Sequence, residues 1–416
     1  MSRFLVAAHT LGCKVNQCDT DALLRGLSDA GCTVVEFSST ADMYIINTCT
    51  VTHASDKKSR QIIRRAKKQN PTAKIAVCGC MAKSSPQAVE ELGVDFVFDA
   101  RAPRAFIDEV QNLFNAEKTA PNFTTSRTRA FVKIQDGCDR FCAYCIIPHV
   151  RGAPTSRKMQ DVLEEVALHT STSKGVKEVV ITGIQIAAYG EDTKETNLPQ
   201  LITNLSKIDG LSRLRISSLE PCAVTDEFLA ACTVSKVLCD HFHLSLQSGC
   251  DTTLQRMNRR YTTTEYATAA ARLRKIFPNA AITTDIIVGF PGESDEEFAQ
   301  TMKFLHQINF ADIHVFEYSK RIGTPAATMP AQVPDAVKSD RSRQVRELAM
   351  AQKLDFFRRQ VGKTMPALFE SDSKGHTTNY CPVVPLEILC KKNLQNQILQ
   401  VEIVKHSTDG LFCKLY

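Results

Sequence analysis

The sequence predicts an α/β protein in three parts: an N-terminal open parallel sheet, a central partial (βα)6 barrel and a small C-terminal β-barrel. Three observations predict this. The chain has 416 residues, which at about 150 residues per domain suggests two to four domains. Short apolar runs alternate with amphipathic stretches in two successive blocks, the pattern of parallel strands joined by helices. From Gly362 the alternation gives way to short β-type runs with no helix between them, as in small closed barrels.

Taken in order, the first block runs over residues 1–116. Its strands are expected at Phe4–Ala8, Thr33–Phe37, Tyr44–Asn47, Lys74–Cys78 and Phe96–Phe98, with helices such as Asp19–Ala30 and Ser55–Gln69 between them. Residues 117–130 are polar and turn-rich and read as a linker. The second block, 131–355, has strand patterns at Phe131–Ile134, Glu178–Thr182, Arg213–Ser217, His241–Leu246, Ala281–Val288 and Ile313–Phe316. Helical patterns such as Gln160–Thr170, Thr263–Ile276 and Ser294–Gln307 separate them. Six such units fall short of a closed eight-fold barrel, so an open one is expected, with its chemistry at the strand C-termini. A charged helix over about Asp335–Gln360 follows a proline-rich loop. Residues 356–416 then carry β-runs at Thr364–Glu370, Val383–Leu389, Ile398–Val404 and Gly410–Leu415.

Composition excludes several classes. At 43% hydrophobic and 23% charged residues the chain is not disordered. No stretch approaches the roughly 18 apolar residues of a membrane span. The start, Met1 to Ala8, reads as a first strand and not as a signal peptide, so a soluble cytoplasmic protein is expected. Lys plus Arg exceeds Asp plus Glu by 51 to 45, a formal charge of +6 that permits a nucleic-acid partner without demanding one. With no Trp and 7% aromatics, a broad base-stacking surface is not expected. The 16 cysteines stand out. In a large chain without an export signal they read as reduced thiols that bind metal or do redox work.

Cys138, Cys142 and Cys145 form a Cys-x3-Cys-x2-Cys run directly after the first strand of the second block. A structural zinc site wants a fourth ligand and commonly shows paired Cys-x2-Cys motifs. Three thiolates instead suit a 4Fe-4S cluster with one iron left for an outside ligand. The run, with Tyr144 before its third cysteine and its place on a partial barrel, resembles the radical S-adenosylmethionine (SAM) superfamily. That resemblance implies that the SAM amine and carboxylate bind the open iron, and that one electron cleaves SAM to a 5′-deoxyadenosyl radical.

A second set lies in the first block. Cys13 in Gly12-Cys13-Lys14-Val15-Asn16-Gln17, Cys49 in Asn47-Thr48-Cys49-Thr50-Val51-Thr52 and Cys80 in Cys78-Gly79-Cys80-Met81 each follow an expected strand. Open α/β sheets place ligands at that edge, so the three could meet in space. Cys18 and Cys78 are spare thiols nearby. Together the segments resemble the radical SAM methylthiotransferase family over nearly the whole chain, most closely its tRNA N6-threonylcarbamoyladenosine (t6A) branch. The resemblance implies an auxiliary 4Fe-4S cluster on Cys13, Cys49 and Cys80, a C-terminal TRAM domain that contacts tRNA, and two uses of SAM. One SAM would methylate sulfur at the auxiliary cluster. A second would yield the radical that removes the C2 hydrogen of t6A next to the anticodon, at position 37, before sulfur is inserted.

Further strand ends carry polar or glycine-rich segments: Thr182 and Gly183, Arg215, Ser217 and Glu220, Gln247, and Asp285 through Gly289 to Glu293. Ordinary strand-to-helix loops look the same, but several at one barrel mouth suit a SAM site, and the resemblance favours that reading. Arg151 and Arg157 could meet phosphate or a carboxylate, or lie on a surface loop. Residues 57–68 hold seven basic side chains in twelve, with Lys57, Arg60, Arg64 and Lys67 on one helical stripe and Arg65 beside it. Such a stripe tracks phosphates or is a solvated helix face; alone, the latter is the commoner case. From residue 356 on, eight Lys and Arg face five Asp and Glu. The expected partners are the tRNA anticodon loop and an electron donor such as flavodoxin or ferredoxin. The alternatives are isopentenyladenosine in tRNA or an aspartate of ribosomal protein S12 as substrate, or a non-catalytic zinc RNA-binding protein.

Overall fold

The computed structural model describes residues 4–114, 128–171, 175–371, 373–386 and 393–415. The first part runs β1 (Leu5–Thr10), α1 (Lys14–Asp29), β2 (Thr33–Val35), β3 (Met43–Thr48), α2 (His53–Gln69), β4 (Lys74–Gly79), α3 (Cys80–Ser84), α4 (Pro86–Glu90), β5 (Phe96–Val97) and α5 (Arg104–Phe114). Its strands form one parallel sheet in the order β2-β1-β3-β4-β5. The central strand β3 is buried along its whole length, as a parallel strand covered on both faces must be. Leu23 and Leu27 of α1 and Phe106 and Val110 of α5 pack on one face against Val6, Met43 and Ile45. Ile63 and Ala66 of α2 pack on the other against Tyr44, Ile46 and Ile75. The winding reverses between β1 and β3, and beyond such a switch point the loops diverge and leave a crevice.

Helix α1 begins at Lys14, ahead of the Asp19 that the apolar pattern suggests. Asn16 hides the start. It is only 1% exposed, and its amide donates to the carbonyls of Leu11 (2.8 Å) and Thr48 (3.0 Å). A buried polar group satisfied this way breaks the periodicity without breaking the helix.

The central part follows with β6 (Arg129–Lys133), β7 (Gln135–Asp136), α6 (Ile147–Arg151), β8 (Thr155–Ser156), α7 (Met159–Thr170), β9 (Glu178–Thr182), α8 (Leu198–Leu205), β10 (Arg213–Ile216), α9 (Asp226–Val234), β11 (His241–His243), α10 (Asp251–Arg256), α11 (Thr263–Ile276), β12 (Ala281–Val288), α12 (Asp295–Ile308), β13 (Asp312–Glu317) and α13 (Asp335–Arg358). Two parallel sheets, β10-β9-β6 and β11-β12-β13, join through the bridges Leu214–Leu238 and Leu219–Leu244. Among the described residues β6 and β13 do not pair, so the barrel is open between them. β6 starts within the stretch read as linker, because Arg129 and Ala130 already pair with Glu178 and Val179; residues 117–127 lie outside the described residues.

Two docks hold the other parts to this barrel. On the N-terminal side, Cys18 Sγ donates to Phe131 O (3.4 Å) and Lys133 pairs with Asp19, which lays α1 along β6. Arg321, after β13, pairs with Asp56 of α2 (2.5 Å) and donates to Thr50 Oγ1 (2.7 Å). On the C-terminal side, β14 (Thr364–Ser371), β15 (Lys374–Thr377), β16 (Pro382–Pro385), β17 (Ile398–His406) and β18 (Leu411–Leu415) close as β14-β15-β16-β18-β17. β15 was not legible in the sequence. Its Lys-Gly-His-Thr has no apolar alternation, and barrel closure between β14 and β16 makes it a strand. The run expected through Leu389 ends as a strand at Pro385, and residues 387–392 lie outside the described residues. Phe356 and Phe357, in the last turn of α13, enter the core of this small barrel, so the helix crosses the boundary expected at 355/356.

Glu178 anchors the second dock. Its side chain is 1% exposed and faces Arg215 (2.9 and 3.1 Å), Arg213 (3.7 Å) and Arg129 (4.0 Å). Those arginines reach across to the small barrel. Arg213 donates to the carbonyls of Pro366 and His376, Arg215 to Thr378 O, and Arg129 to the Tyr380 hydroxyl. Burial pushes the Glu178 carboxyl up, but the arginines outweigh it and hold it below the usual range. Its contribution to stability is therefore full above the ordinary carboxylate range and is lost as pH falls through the lower folded value. Glu178→Gln is expected to cost about 3–5 kcal/mol, since it leaves buried guanidinium groups uncompensated. It should also raise hydrogen exchange across β14–β16. An unchanged unfolding temperature and exchange pattern would contradict that role.

Candidate functional site

The sheet of the first part decides where its cysteines go. Thr10 of β1 pairs with Asn47 of β3, and Asn47 with Cys78 of β4. Cys13, Cys49 and Cys80 each lie just beyond those paired positions, so the register brings three distant segments to one edge. Gly12 (φ 98°) makes room: a Cβ there would stand 2.9 Å from Cys49 Cβ and 3.0 Å from its Sγ. Gly79 (φ 89°) likewise lets β4 turn sharply beside Asn47 and Thr48 into Cys80. Only glycine enters both positions without strain. The Asn47 amide donates to Asn16 O (2.9 Å) and Thr20 Oγ1 (3.0 Å), lacing the first two motifs together. All three cysteines line one open groove of about 1220 Å³, together with Thr52, His53, Tyr318, Lys320, Lys338 and Arg346. Cys13 is exposed, Cys49 and Cys80 are buried, and all are free thiols. Burial pushes the Cys80 thiol up to about 11, against the pull of Arg151, and also raises Cys49. The spare thiols do not join them: Cys18 turns to Phe131 O, and Cys78 packs inside the sheet with Val6 and Met43.

The second triad sits on a loop pinned at several points. Cys138 N donates to Gly152 O (2.9 Å), Ala143 N to Met257 O (2.9 Å) and Ala326 N to Ala143 O (2.8 Å). Gly137 (φ 75°) packs against the Ala153 backbone with no space for a Cβ. Arg140 N reaches Cys138 Sγ at 3.5 Å, and the Arg259 guanidinium donates to Cys142 Sγ at 3.2 Å. Glu220 accepts from Arg140 (2.9 Å) and pairs with Arg259 (3.1 Å), so it braces the loop from behind. Burial raises Cys138 to about 11 and Cys145 to about 12. Tyr144 is half-buried and packs with Met257, Phe290, Tyr318 and Ala326. Cys142 and Cys145 open on a cavity of about 450 Å³ beside His149, Gly323, Thr324 and Thr328. Three free thiols at each place, with a guanidinium at one sulfur, are a donor set that fits iron–sulfur clusters leaving an iron for another ligand. Arg259 went unnoticed in the sequence because it stands far from the cysteines.

Inside the barrel lies a third cavity of about 710 Å³. Alternate strand positions line it: Arg215 and Ser217, His241 and His243, Thr283 and Asp285, and His314 and Phe316. Among the described residues, the buried Ser217 Oγ has no hydrogen-bond partner. Asp285 Oδ2 lies 3.3 Å from His243 Nε2, and His243 Nδ1 lies 3.0 Å from Thr283 Oγ1. His243, Asp285 and His314 offer donor atoms within 4.8 Å of one another.

Several residues read as ligand contacts have other work. Arg215 is 3% exposed; its guanidinium is spent on Glu178 and Thr378 O and stacks on Tyr380. It forms the cavity floor. Glu293 accepts from Gly289 N (2.7 Å) and pairs with Arg341 (2.6 Å), fastening the turn after β12 to α13. Gly289 (φ 68°) packs on Lys338. Gln247 (φ 70°) bridges to β12 through its backbone, with N to Asp285 O and O to Ile287 N at 2.9 Å. Thr182 is buried at the end of β9, and Gly183 leaves space for Gln135, whose amide supports Gly137 O. Arg151 binds within the protein and Arg157 pairs with Glu165 (2.5 Å), so neither is a free anion contact.

The basic stripe is narrower than its sequence. Lys57, Arg64 and Arg65 are exposed on α2 and Arg60 is half-buried. Lys67 bends back to the carbonyls of Leu92 and Gly93 and leaves the stripe.

Comparison with known proteins agrees with this geometry. Residues 5–99 match the Uncharacterized protein family UPF0004 and residues 132–305 the Radical SAM superfamily. The chain is 40% identical to the threonylcarbamoyladenosine tRNA methylthiotransferase MtaB of Bacillus subtilis, over 96% of this chain and 94% of that one. It is 37% identical to the protein of the same name from Aquifex aeolicus (91% and 96%). A tRNA-2-methylthio-N(6)-dimethylallyladenosine synthase of Acetivibrio thermocellus is 34% identical (89% and 81%). In fold, the radical SAM methyltransferase TsrM of Kitasatospora setae is similar with a TM-score of 0.59 at 14% identity, over 79% of this chain and 77% of that one. The chain belongs to the radical SAM methylthiotransferase family.

Proposed function

We propose that this protein is a SAM-dependent transferase that adds a methylthio group to C2 of t6A at position 37 of tRNA. The observation that carries the reading is the pair of free cysteine triads on facing loops, tied together by one buried arginine. Arg151, just beyond Cys145, donates to Asn16 Oδ1 (2.6 Å) and pairs with Asp19 (3.1 Å), both just beyond Cys13. A C2 hydrogen of adenine is too weakly acidic for a positioned base, so the hard step belongs to cofactors and the protein's task is placement. Cys138, Cys142 and Cys145 would hold the SAM-binding 4Fe-4S cluster, and Cys13, Cys49 and Cys80 the auxiliary one. When bound, these groups supply one-electron chemistry on SAM and a source of sulfur. The protein's residues do the rest. Arg259 steadies Cys142, Tyr144 covers the loop, and Ser217 offers a hydrogen bond in the barrel. Lys57, Arg60, Arg64 and Arg65 would meet RNA phosphates together with the C-terminal TRAM-like barrel. A reduced flavodoxin or ferredoxin would supply electrons in the cytoplasm.

Comparing tRNA nucleosides by mass spectrometry from cells with and without the gene tests the substrate. The expected result is loss of 2-methylthio-t6A with accumulation of t6A. Loss of the methylthio-isopentenyl nucleoside instead would assign the chain to the other tRNA branch, and unchanged tRNA would direct attention to ribosomal protein. For the ligands, Cys13→Ala and Cys138→Ala should each remove roughly half of the iron in protein purified without air, because each abolishes one of two cluster sites. Cys18→Ala and Cys78→Ala should keep it; the reverse pattern would reassign the auxiliary site. For RNA, alanine at Lys57, Arg64 and Arg65 should weaken tRNA binding and lower the salt slope by about one for each phosphate no longer neutralised. Lys67→Ala should leave that slope unchanged.

A further inference from the structure

The barrel cavity contains several cations, and nearly all are neutralised. Arg129 pairs with Glu370 (2.9 Å), Arg215 with Glu178 and Lys353 with Asp312 (2.9 Å). Lys14 also lines this cavity, yet it makes no hydrogen bond or ion pair among the described residues. It is exposed, at the first position of α1. Its neighbour Cys13 lines both this cavity and the groove of the auxiliary triad. An unpaired ammonium therefore stands where the barrel interior meets the cysteines proposed to hold the sulfur-bearing cluster. Its charge reaches the polar residues of the cavity: burial raises Asp285, but His243, His314 and then Lys14 outweigh it and hold it below its ordinary value, and Lys14 adds to the burial, Arg215 and His243 that lower His241. The same charge opposes a divalent cation at His243, Asp285 and His314, whose donor atoms otherwise cluster closely enough for one. The cavity is built to receive an anion alongside hydrogen-bonding groups.

Adenine's C2 and C6 flank the same ring nitrogen, N1, and C6 carries N6. A base presenting C2 toward Cys13 must carry its N6 substituent along the same wall. The threonylcarbamoyl group ends in a carboxylate a few bonds from N6, whereas unmodified adenine and a hydrocarbon substituent carry no charge there. We infer that Lys14 is a specificity-determining residue whose ammonium pairs with the carboxylate of the N6 substituent, while His243 and His314 face its uncharged polar groups. This rests on the substrate reading above. Lys14 is exposed, so its ammonium stays hydrated when the substituent carries no charge; the discrimination comes from the charge-assisted pair that only a carboxylate-bearing substituent can make.

The test compares the full-length holoprotein with its Lys14→Met and Lys14→Arg variants. Binding and KM are measured on an anticodon stem-loop carrying t6A and on the same stem-loop with unmodified adenosine. The wild type should prefer t6A. Lys14→Met should lose about 10- to 100-fold of that preference, as expected for one charged pair, with binding of the unmodified stem-loop unchanged. Lys14→Arg should recover most of the preference. Iron per chain is measured on the same preparations, and if Lys14→Met has lost iron through its neighbour Cys13, Lys14→Gln replaces it. Preference retained in a variant with full iron content overturns the inference. So does an equal loss on both stem-loops, which would mark Lys14 as a phosphate-binding residue. If the wild type does not convert t6A at all, the substrate reading itself fails. That outcome is distinct from a wild type that converts t6A and variants that keep its preference.

Discussion

Arg151 is the side chain on which the arrangement of the two cysteine triads depends. It follows the Cys138–Cys145 loop on α6 and is 5% exposed. Its guanidinium holds Asp136, just before that loop, at 2.8 and 2.9 Å, and Asn16 and Asp19 on α1 at 2.6 and 3.1 Å. Asn16 in turn grips the backbone of β1's exit loop and of Thr48 beside Cys49. One rigid planar fork thus connects both thiol sets through groups already fixed by the sheet and the loop. A buried cation of this kind costs desolvation and persists only with opposite charges beside it, which Asp136 and Asp19 supply. Lys133 adds a second link by pairing with the same two carboxylates. A polar cluster with defined directions sets the separation of the two cysteine triads more sharply than apolar packing could.

The barrel uses polarity differently. Its outer shell is an ordinary apolar core of strand and helix side chains such as Val179, Ile181, Leu201, Phe228 and Leu305. Its inner face is charged and hydrogen-bonding, and one end is stoppered by the C-terminal barrel through Arg129, Arg213, Arg215 and Tyr380. The stopper fills that end and leaves the space near Cys13 open. The C-terminal barrel is therefore part of the cavity wall as well as a candidate RNA surface, and mutations at its dock should affect both.

Much of this was legible in the sequence. Short apolar runs and helical patterns located the strands and helices of both α/β blocks, because covered parallel strands bury nearly every residue and amphipathic helices bury one face. The Cys-x3-Cys-x2-Cys spacing identified one thiol set, because three ligands of one centre can come from one short loop. The charge on α2 was visible as well. What composition and spacing could not supply was direction: Lys67, Arg151, Arg215 and Glu293 all read as available charges, yet each is spent on a partner remote in sequence or across a turn.

The sequence by itself determined the α/β class and the Cys138, Cys142 and Cys145 spacing, since these follow from local pattern and chemistry; Cys13, Cys49 and Cys80 were singled out by the family resemblance of the motifs around them. Only the tertiary structure decided that Cys13, Cys49 and Cys80 share an edge, because that depends on the strand order β2-β1-β3-β4-β5 and its register. It alone decided that β15 is a strand, by closing a barrel around residues with no strand pattern. It also decided that Lys14 makes no ion pair among the described residues while Arg129, Arg215 and Lys353 in the same cavity do, since pairing is a property of distances in the fold and not of positions along the chain.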